Sequence, residues 1–338
     1  MMRILITGAS GFIGFHLVRE LAGRGHAVTG LDCISDQYDP ELKYARLENL
    51  GIARTEIEEN TIIRSRTLSG FEFVKSNLEN RFFLYDLFAS QHFDLVCHLA
   101  AQTGIRFSES HRDRCRISNV TCFDNVLDAC RRYSVGRFIY TSSSSVYGSN
   151  EKTCFCETDP VLPISVYGLS KLRGESIAKA YSDRYGIETV GLRLFTVYGP
   201  WGRPDMAPFL FLKALLEKQP LQVNNRGRHI RDFTYIDDAI RAFNAVVSES
   251  GKTGPTDNPA HIFNVGSSNP VTLVDFIRLL EKCSGEKGVL SYRERQPGDM
   301  LSTWADTTLI RERYGWKAKV PLRDGIENFI AWYNGFYR

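Results

Sequence analysis

The chain lacks long hydrophobic runs, an excess of charge of either sign, and any cysteine pattern of a kind that chemistry uses. The apolar run Ile4–Ile6 stops at Thr7 and Gly8, so neither a signal peptide nor a membrane-spanning helix is expected. Forty-two basic and 39 acidic residues leave a net charge of +3, too balanced to argue for nucleic acid or an anionic membrane surface. The eight cysteines sit singly apart from Cys154 and Cys156, whose one-residue gap suits neither a zinc knuckle nor a redox pair. Reduced thiols, no metal site and a cytoplasmic location are the expectations. No internal repeat or low-complexity stretch is present.

What the chain does have is a regular alternation. Its 338 residues, 43% of them apolar, suffice for a full core in one large α/β domain or two modest ones. Short β-branched runs alternate with helical patterns, as in a doubly wound parallel sheet. Strands are expected at Arg3–Thr7, Ala27–Asp32, Glu72–Lys75, Asp94–His98, Arg137–Ser142 and Glu188–Leu194. Helices are expected at Phe12–Arg24 and Asn119–Tyr133, with Val120, Phe123, Val126, Leu127 and Cys130 at helical spacing in the second. Pro40–Leu50 reads as an extra helix in a long crossover, and the polar Glu56–Ser69 as a mobile loop.

After Leu194 the texture changes. Gly199, Pro200, Gly202, Pro204 and Pro208 crowd together, too many breakers for an element interior. Turns are expected at Asn224–Gly227 and Gln296–Gly298, and His261–Val265 reads as a late strand returning to the main sheet. The resulting division is discontinuous. Residues 1–195 and 228–263 form a Rossmann-type dinucleotide half, and residues 196–227 and 264–338 a smaller mixed α/β substrate half.

Gly8-Ala9-Ser10-Gly11-Phe12-Ile13-Gly14 follows the first strand and opens a helix. Glycine is needed there for the tight turn, for close approach of backbone to a pyrophosphate, and for helix–sheet packing. The helix N-terminus adds free N–H groups and positive dipole. Asp32 ends the second strand, where a carboxylate accepts hydrogen bonds from ribose hydroxyls and repels a 2′-phosphate, favouring NAD over NADP.

Together with His98-Leu99-Ala100-Ala101 after the fourth strand, this glycine spacing resembles the extended short-chain dehydrogenase/reductase superfamily. The resemblance implies that Ala100 and Ala101, with Leu99, bring backbone close to the dinucleotide. Where the family usually has Asp-Leu or Asp-Ile after the third strand, this chain reads Ser76-Asn77-Leu78, so the implied adenine contact becomes an amide one.

Tyr167-Gly168-Leu169-Ser170-Lys171 is the strongest chemical signal. On a helix, residues four apart share a face, and an ammonium beside Tyr167 is expected to lower the phenol pKa, making it a general base. Upstream, the hydroxyl cluster Thr141-Ser142-Ser143-Ser144-Ser145 ends a strand, in the crevice where α/β sheets bind ligands. The superfamily places a sugar-binding hydroxyl there, at Ser143 by alignment on Val146-Tyr147-Gly148.

Three further stretches, Leu194–Ala207, Gln102–Ser108 and Arg231–Tyr235, with Tyr38–Lys43, closely resemble UDP-glucuronate 4-epimerases. This resemblance covers most of the chain and is loosest over Glu56–Phe71 and the last sixty residues. Thr103 stands where the family favours Ala, and Val166-Tyr167-Gly168-Leu169-Ser170-Lys171 where it favours Leu-Tyr-Ala-Ala-Thr-Lys. The family mechanism is redox-neutral oxidation at C4 followed by reduction on the other face. A 4-keto uronate is a β-keto acid that loses carbon dioxide unless its carboxylate is restrained. Thr196, Ser144 and Ser145 are the candidate hydroxyl donors for that carboxylate, and Arg203 the charge-assisted one. Arg203 has an alternative partner in Asp205. Arg231 is expected at the diphosphate, and Gln296 and Asp299 at the nucleotide. Arg106 is assigned to neither ligand.

Two enzymatic alternatives stay open: a 4-epimerase of a neutral or N-acetylated UDP-hexose, and a UDP-glucuronate decarboxylase. The decarboxylases carry a Glu where Ser145 stands, and the 4,6-dehydratases an Asp-Glu pair at the same strand end. By analogy with the superfamily, helices near Asn119–Tyr133 and Val166–Tyr185 build a homodimer.

Overall fold

The computed structural model describes residues 1–249, 260–294 and 300–338. Its spine is an eight-stranded sheet. In chain order the first strands are β1 (Arg3–Thr7), β2 (Ala27–Asp32), β3 (Ile62–Arg64), β4 (Phe71–Lys75), β5 (Leu95–His98), β6 (Arg137–Ser143) and β7 (Glu188–Leu194). The short β8 (Thr196–Tyr198), β9 (Leu221–Asn224) and β10 (Ile230–Tyr235) follow, then β11 (Ala260–Val265), β12 (Pro270–Thr272), β13 (Leu290–Arg293) and β14 (Ser302–Thr303). The large sheet runs β11-β7-β6-β5-β1-β2-β4-β3. Every pairing is parallel except β3 on β4. The late strand does return to this sheet, with Ala260 opposite Thr189 and Val265 opposite Leu194.

Helices α1 (Phe12–Gly23), α2 (Glu41–Asn49), α3 (Arg81–Gln91), α4 (Ile105–Ser110), α5 (Arg112–Arg116), α6 (Cys122–Arg132) and α7 (Val166–Tyr185) belong to the first half. Strands buried on both faces read as unbroken apolar runs, and Ile4, Leu5 and Ile6 of β1 are all fully buried. Helix α7 starts where Ser165 accepts from the Gly168 N–H at 3.0 Å, an N-cap. It stops at Gly186, whose φ of 70° only glycine adopts cheaply.

Two expectations change. The polar Glu56–Ser69 segment contains β3, held antiparallel against β4, rather than a free loop. Ile63, buried between the exposed Ile62 and Arg64, gives β3 its inward face. The helix expected from Asn119 begins at Cys122, after a π turn at Ile117–Thr121 that buries Asn119.

Beyond β7 the chain builds a smaller layer. Strand β10 pairs with β8, β12 and β14, and β9 pairs with β13. Helices α8 (Ala207–Leu216), α9 (Ile236–Ser248), α10 (Leu273–Ser284), α11 (Thr308–Tyr314) and α12 (Leu322–Tyr337) complete the fold. No helix among the described residues is long and apolar enough to cross a membrane.

Candidate active site

A cleft of about 1310 Å³ opens over the C-terminal ends of β1, β2, β5 and β6 and runs under β8, α8 and β10. That exceeds the roughly 300–1,000 Å³ of a small-ligand pocket, so it has room for two ligands. It gathers Gly8, Gly11, Phe12, Ile13, Gly14, Asp32, Asn77, Leu78, Leu99, Ala100 and Ala101 on one side. The same cleft takes in Ser143, Ser144, Ser145, Tyr167, Lys171, Thr196, Arg203 and Arg231. Gln296, Asp299 and the side chain of Arg106 lie outside the described residues, as does the turn expected at Gln296–Gly298.

The glycine turn is tight enough to demand its residues. Gly8 has φ +74°, and a Cβ there would meet the Ala100 nitrogen at 2.8 Å. A Cβ on Gly14 would stand 2.0 Å from the Gly8 carbonyl oxygen, inside any contact distance. At the end of β2, the buried Asp32 accepts from the N–H groups of Ser10 at 3.1 Å and Ile34 at 2.8 Å. Those bonds orient the carboxylate at the cleft wall and tie it to the glycine turn.

Across the cleft, β6 delivers Ser143 and α7 delivers Tyr167. The Tyr167 phenol and Ser143 both line the cleft and are close enough to interact, and Ser143 Oγ donates to Ser145 Oγ at 3.2 Å. Ser108 and Glu109 of α4 accept from the first N–H groups of α7, those of Tyr167 at 3.1 Å and Val166 at 2.9 Å. Asn119 donates to Ser170 Oγ at 2.9 Å and to the Gln102 carbonyl at 2.9 Å, so the π turn braces α7 and the loop after Ala101 together.

The electrostatics correct one expectation. Lys171 does not lower the Tyr167 pKa: its ammonium donates to the Thr141 carbonyl at 2.8 Å instead. Burial raises the Tyr167 pKa, offset in part by the neighbouring Ser143 hydroxyl and the Arg203 charge. Burial also brings Lys171 down, to about 8. The i,i+4 spacing puts both groups on one face, but the lysine stem carries its charge down to the strand.

The Gly/Pro-rich loop is pinned at both its carbonyls and its ring. His16 Nε2 bonds the Pro200 carbonyl at 3.0 Å, and the buried Arg46 donates to the Trp201 carbonyl at 2.7 Å. The Trp201 ring packs 5.3 Å from Phe15 and 5.0 Å from Phe336. From this loop Arg203 closes on Asp205 through two bonds, at 3.0 and 2.5 Å, with its guanidinium 5.8 Å from the Tyr38 ring centre. Arg231 donates to the carbonyls of Ile230 and Met300, both at 2.8 Å.

The sequence profile of the NAD dependent epimerase/dehydratase family matches residues 4–266. The chain belongs to that family. UDP-glucuronate 4-epimerase 4 of Arabidopsis thaliana is 37% identical over 99% of this chain and 76% of its own length. A probable UDP-glucuronate 4-epimerase of Rhizobium meliloti is 35% identical over 100% of this chain and 98% of its own. The UDP-glucuronic acid 4-epimerase of Bacillus cereus, solved with UDP-glucuronic acid and NAD, superposes with a TM-score of 0.88. Its identity is 33% over 99% of this chain and 100% of that one.

The residues of this epimerase/dehydratase chain fit the family's dinucleotide. The cradle at Gly8 and Gly14 leaves no room for a side chain, and α1 opens directly from it. The fixed Asp32 carboxylate, flanked by Leu31 and Cys33 with no basic residue beside it, suits ribose hydroxyls. Sequence reasoning missed Arg46, which joins the Ser10 carbonyl, the Tyr38 hydroxyl and the Trp201 carbonyl at 2.9, 2.7 and 2.7 Å. It also missed Gln37, whose side-chain amide donates to the Thr103 carbonyl. Neither has a local signal. Glu175, four residues past Lys171, had one: it stands on the Tyr167–Lys171 face.

Proposed function

We propose that this chain is a NAD-dependent, redox-neutral 4-epimerase that interconverts UDP-glucuronate and UDP-galacturonate through a 4-keto intermediate. Tyr167 and Ser143, brought to one wall of a cleft of two-ligand size, carry the reading. Full-length similarity to proteins named for this activity supports it.

Gly8, Gly11, Phe12, Ile13, Gly14, Asp32, Asn77, Leu78, Leu99, Ala100 and Ala101 are assigned to the dinucleotide, with Tyr167 and Lys171 facing it. Bound NAD supplies a reversible hydride acceptor. Tyr167 takes the proton of the sugar 4-hydroxyl while Ser143 holds the oxygen, and returns it after the sugar has turned about its diphosphate. The Lys171 ammonium holds the Thr141 carbonyl and so fixes the strand end that offers Ser143.

Ser144, Ser145, Thr196 and Arg203 restrain the C6 carboxylate, keeping the C5–C6 bond out of line with the C4 carbonyl π system. Arg231 is assigned to the diphosphate. The two-part division is assigned with one change. Residues 230–235 go to the substrate side, because β10 pairs in the smaller sheet. A cytoplasmic homodimer through α6 and α7 is part of the same reading, supported by the exposed Leu169 and Tyr185 on α7.

One observation favours the neutral UDP-hexose alternative: the Arg203 fork is closed on Asp205. Incubation with UDP-glucuronate, followed by NMR of the anomeric proton, separates the readings. UDP-galacturonate is expected; UDP-xylose, or turnover of UDP-glucose alone, overturns the assignment.

A further inference from the structure

Behind the serine-lined end of the cleft lies a buried charged network that the proposed chemistry does not use. Glu175 sits two turns beyond Tyr167 on α7, and its side chain is 8% exposed. Its Oε1 accepts from Ser142 Oγ at 2.5 Å and from Arg193 Nε at 2.9 Å, and its Oε2 from Arg193 Nη2 at 2.8 Å. Arg193, 6% exposed, stands on β7 directly opposite Ser142 in the sheet register. It also donates to the Tyr147 hydroxyl at 3.0 Å, and Tyr147 in turn donates to Asn264 Oδ1 of β11 at 2.7 Å.

We propose that Glu175 and Ser142 are positioning residues, forming the link that sets the Ser143 end of β6 against the Tyr167–Lys171 face of α7. The proposal rests on the functional reading above for what that face does. The argument is one of cost and geometry. Burying an ion pair is expensive, and an apolar pair of equal volume often packs at no loss of stability. A two-oxygen acceptor, in contrast, sets both distance and rotation, and a fully satisfied buried network specifies one arrangement. Glu175 reaches the residue immediately before Ser143 on the strand and lies one turn from Lys171 on the helix. Sliding either element by a fraction of a turn breaks the bond.

Glu175 also bears on the lysine charge. The groups that face Lys171 are the Thr141 carbonyl and hydroxyl on β6, His98 on β5, Cys115 on α5, and Tyr167 and Glu175 on α7 itself. Arg193 on β7 acts on it through Glu175. His98 is held neutral by burial. Glu175 is therefore the carboxylate that favours the ammonium, and its removal, which also leaves Arg193 unbalanced, drives the lysine to lose its proton at lower pH.

The test uses Ser142→Ala, Glu175→Gln and the double variant of the full-length protein with its bound dinucleotide. Ser142→Ala keeps the buried charges paired. It is expected to lower kcat on UDP-glucuronate by about ten-fold, the size of one charge-assisted hydrogen bond. KM, dinucleotide content and the unfolding midpoint should stay close to those of the parent. Glu175→Gln should lower kcat at least as far and move the alkaline limb of the pH profile down by about one unit, a shift that Ser142→Ala does not produce. The double variant should be slower than Glu175→Gln by less than Ser142→Ala costs the parent, because the glutamine oxygen offers Ser142 only an uncharged acceptor.

Parent-like kcat in Ser142→Ala, or losses that multiply in the double variant, overturn the proposal. If Glu175→Gln does not fold, the kcat and KM of Ser142→Ala decide alone. A parent protein inactive on every UDP-sugar would instead defeat the functional reading. The link would then be read from the Lys171 titration by NMR, where an unchanged midpoint in Glu175→Gln refutes it.

Discussion

Two buried histidines make the fold sensitive to mild acid, and the size of the effect follows from their surroundings. His16 on α1 bonds the Pro200 carbonyl through Nε2, so that nitrogen carries the proton and Nδ1 faces the Arg19 guanidinium at 3.2 Å. Burial, then the Arg19 and Arg46 charges, against the Pro200 bond, push its pKa down to about 3. His98 on β5 bonds Thr7 Oγ1 at 2.8 Å, and burial with the Lys171 charge brings it to about 3 as well. The unfolded chain takes up each proton near 6.5, whereas the folded chain resists until about 3. The unfolded state therefore binds more protons throughout that window, and stability falls as pH falls.

Between pH 7 and pH 5 each histidine removes about 2 kcal/mol, about 4 for the pair. The depressed carboxylates Asp36 and Asp159 titrate below this range. The carboxylates raised by burial, Glu157, Asp232 and Asp237, act in the opposite direction. A comparison of variants cancels these terms. Urea unfolding of the parent and of His16→Leu at both pH values should show the parent losing about 2 kcal/mol more than the variant. Equal losses in the two proteins would refute the argument that His16 is held neutral.

Tyr167→Phe should keep its dinucleotide and lose at least ~100-fold in turnover, the lower end for a lost general base; turnover within a few-fold removes Tyr167 from the chemistry. Denaturing the protein should release NAD, and finding NADP in its place would show that Asp32 does not meet the ribose. Arg203→Ala should weaken use of UDP-glucuronate by about ten- to a hundred-fold, since it removes a guanidinium and strands the Asp205 carboxylate in the cleft. Activity on neutral UDP-glucose should hardly change, and equal damage to both substrates would assign Arg203 to the loop alone. Because the Lys171 ammonium is present below about pH 8 and lost above it, the rate should fall on the alkaline side of that value; a flat profile to pH 10 contradicts the buried environment.

Much of the cofactor half was legible because its signals are local. The tight turn at Gly8, the apolar runs of β1 and β2, and the breakers after Leu194 each follow from backbone sterics within a few residues. The strand β3 was not, since only its pairing to β4 makes a polar segment into a strand. For Arg203 the sequence offered both the uronate and Asp205, and the pinned loop closes it on Asp205.

The amino-acid order therefore specified which residues could do chemistry, because helix and strand periods alone put Tyr167 and Lys171 on one face and the serines at one strand end. Tertiary packing decided where their charges went. Lys171 reached the Thr141 carbonyl rather than the phenol, Arg46 reached the Trp201 carbonyl 155 positions away, and Glu175 on α7 met Arg193 on β7. Each of these contacts satisfies a charge that burial would otherwise make costly. Such partners are chosen by proximity in the folded core, which no local pattern encodes.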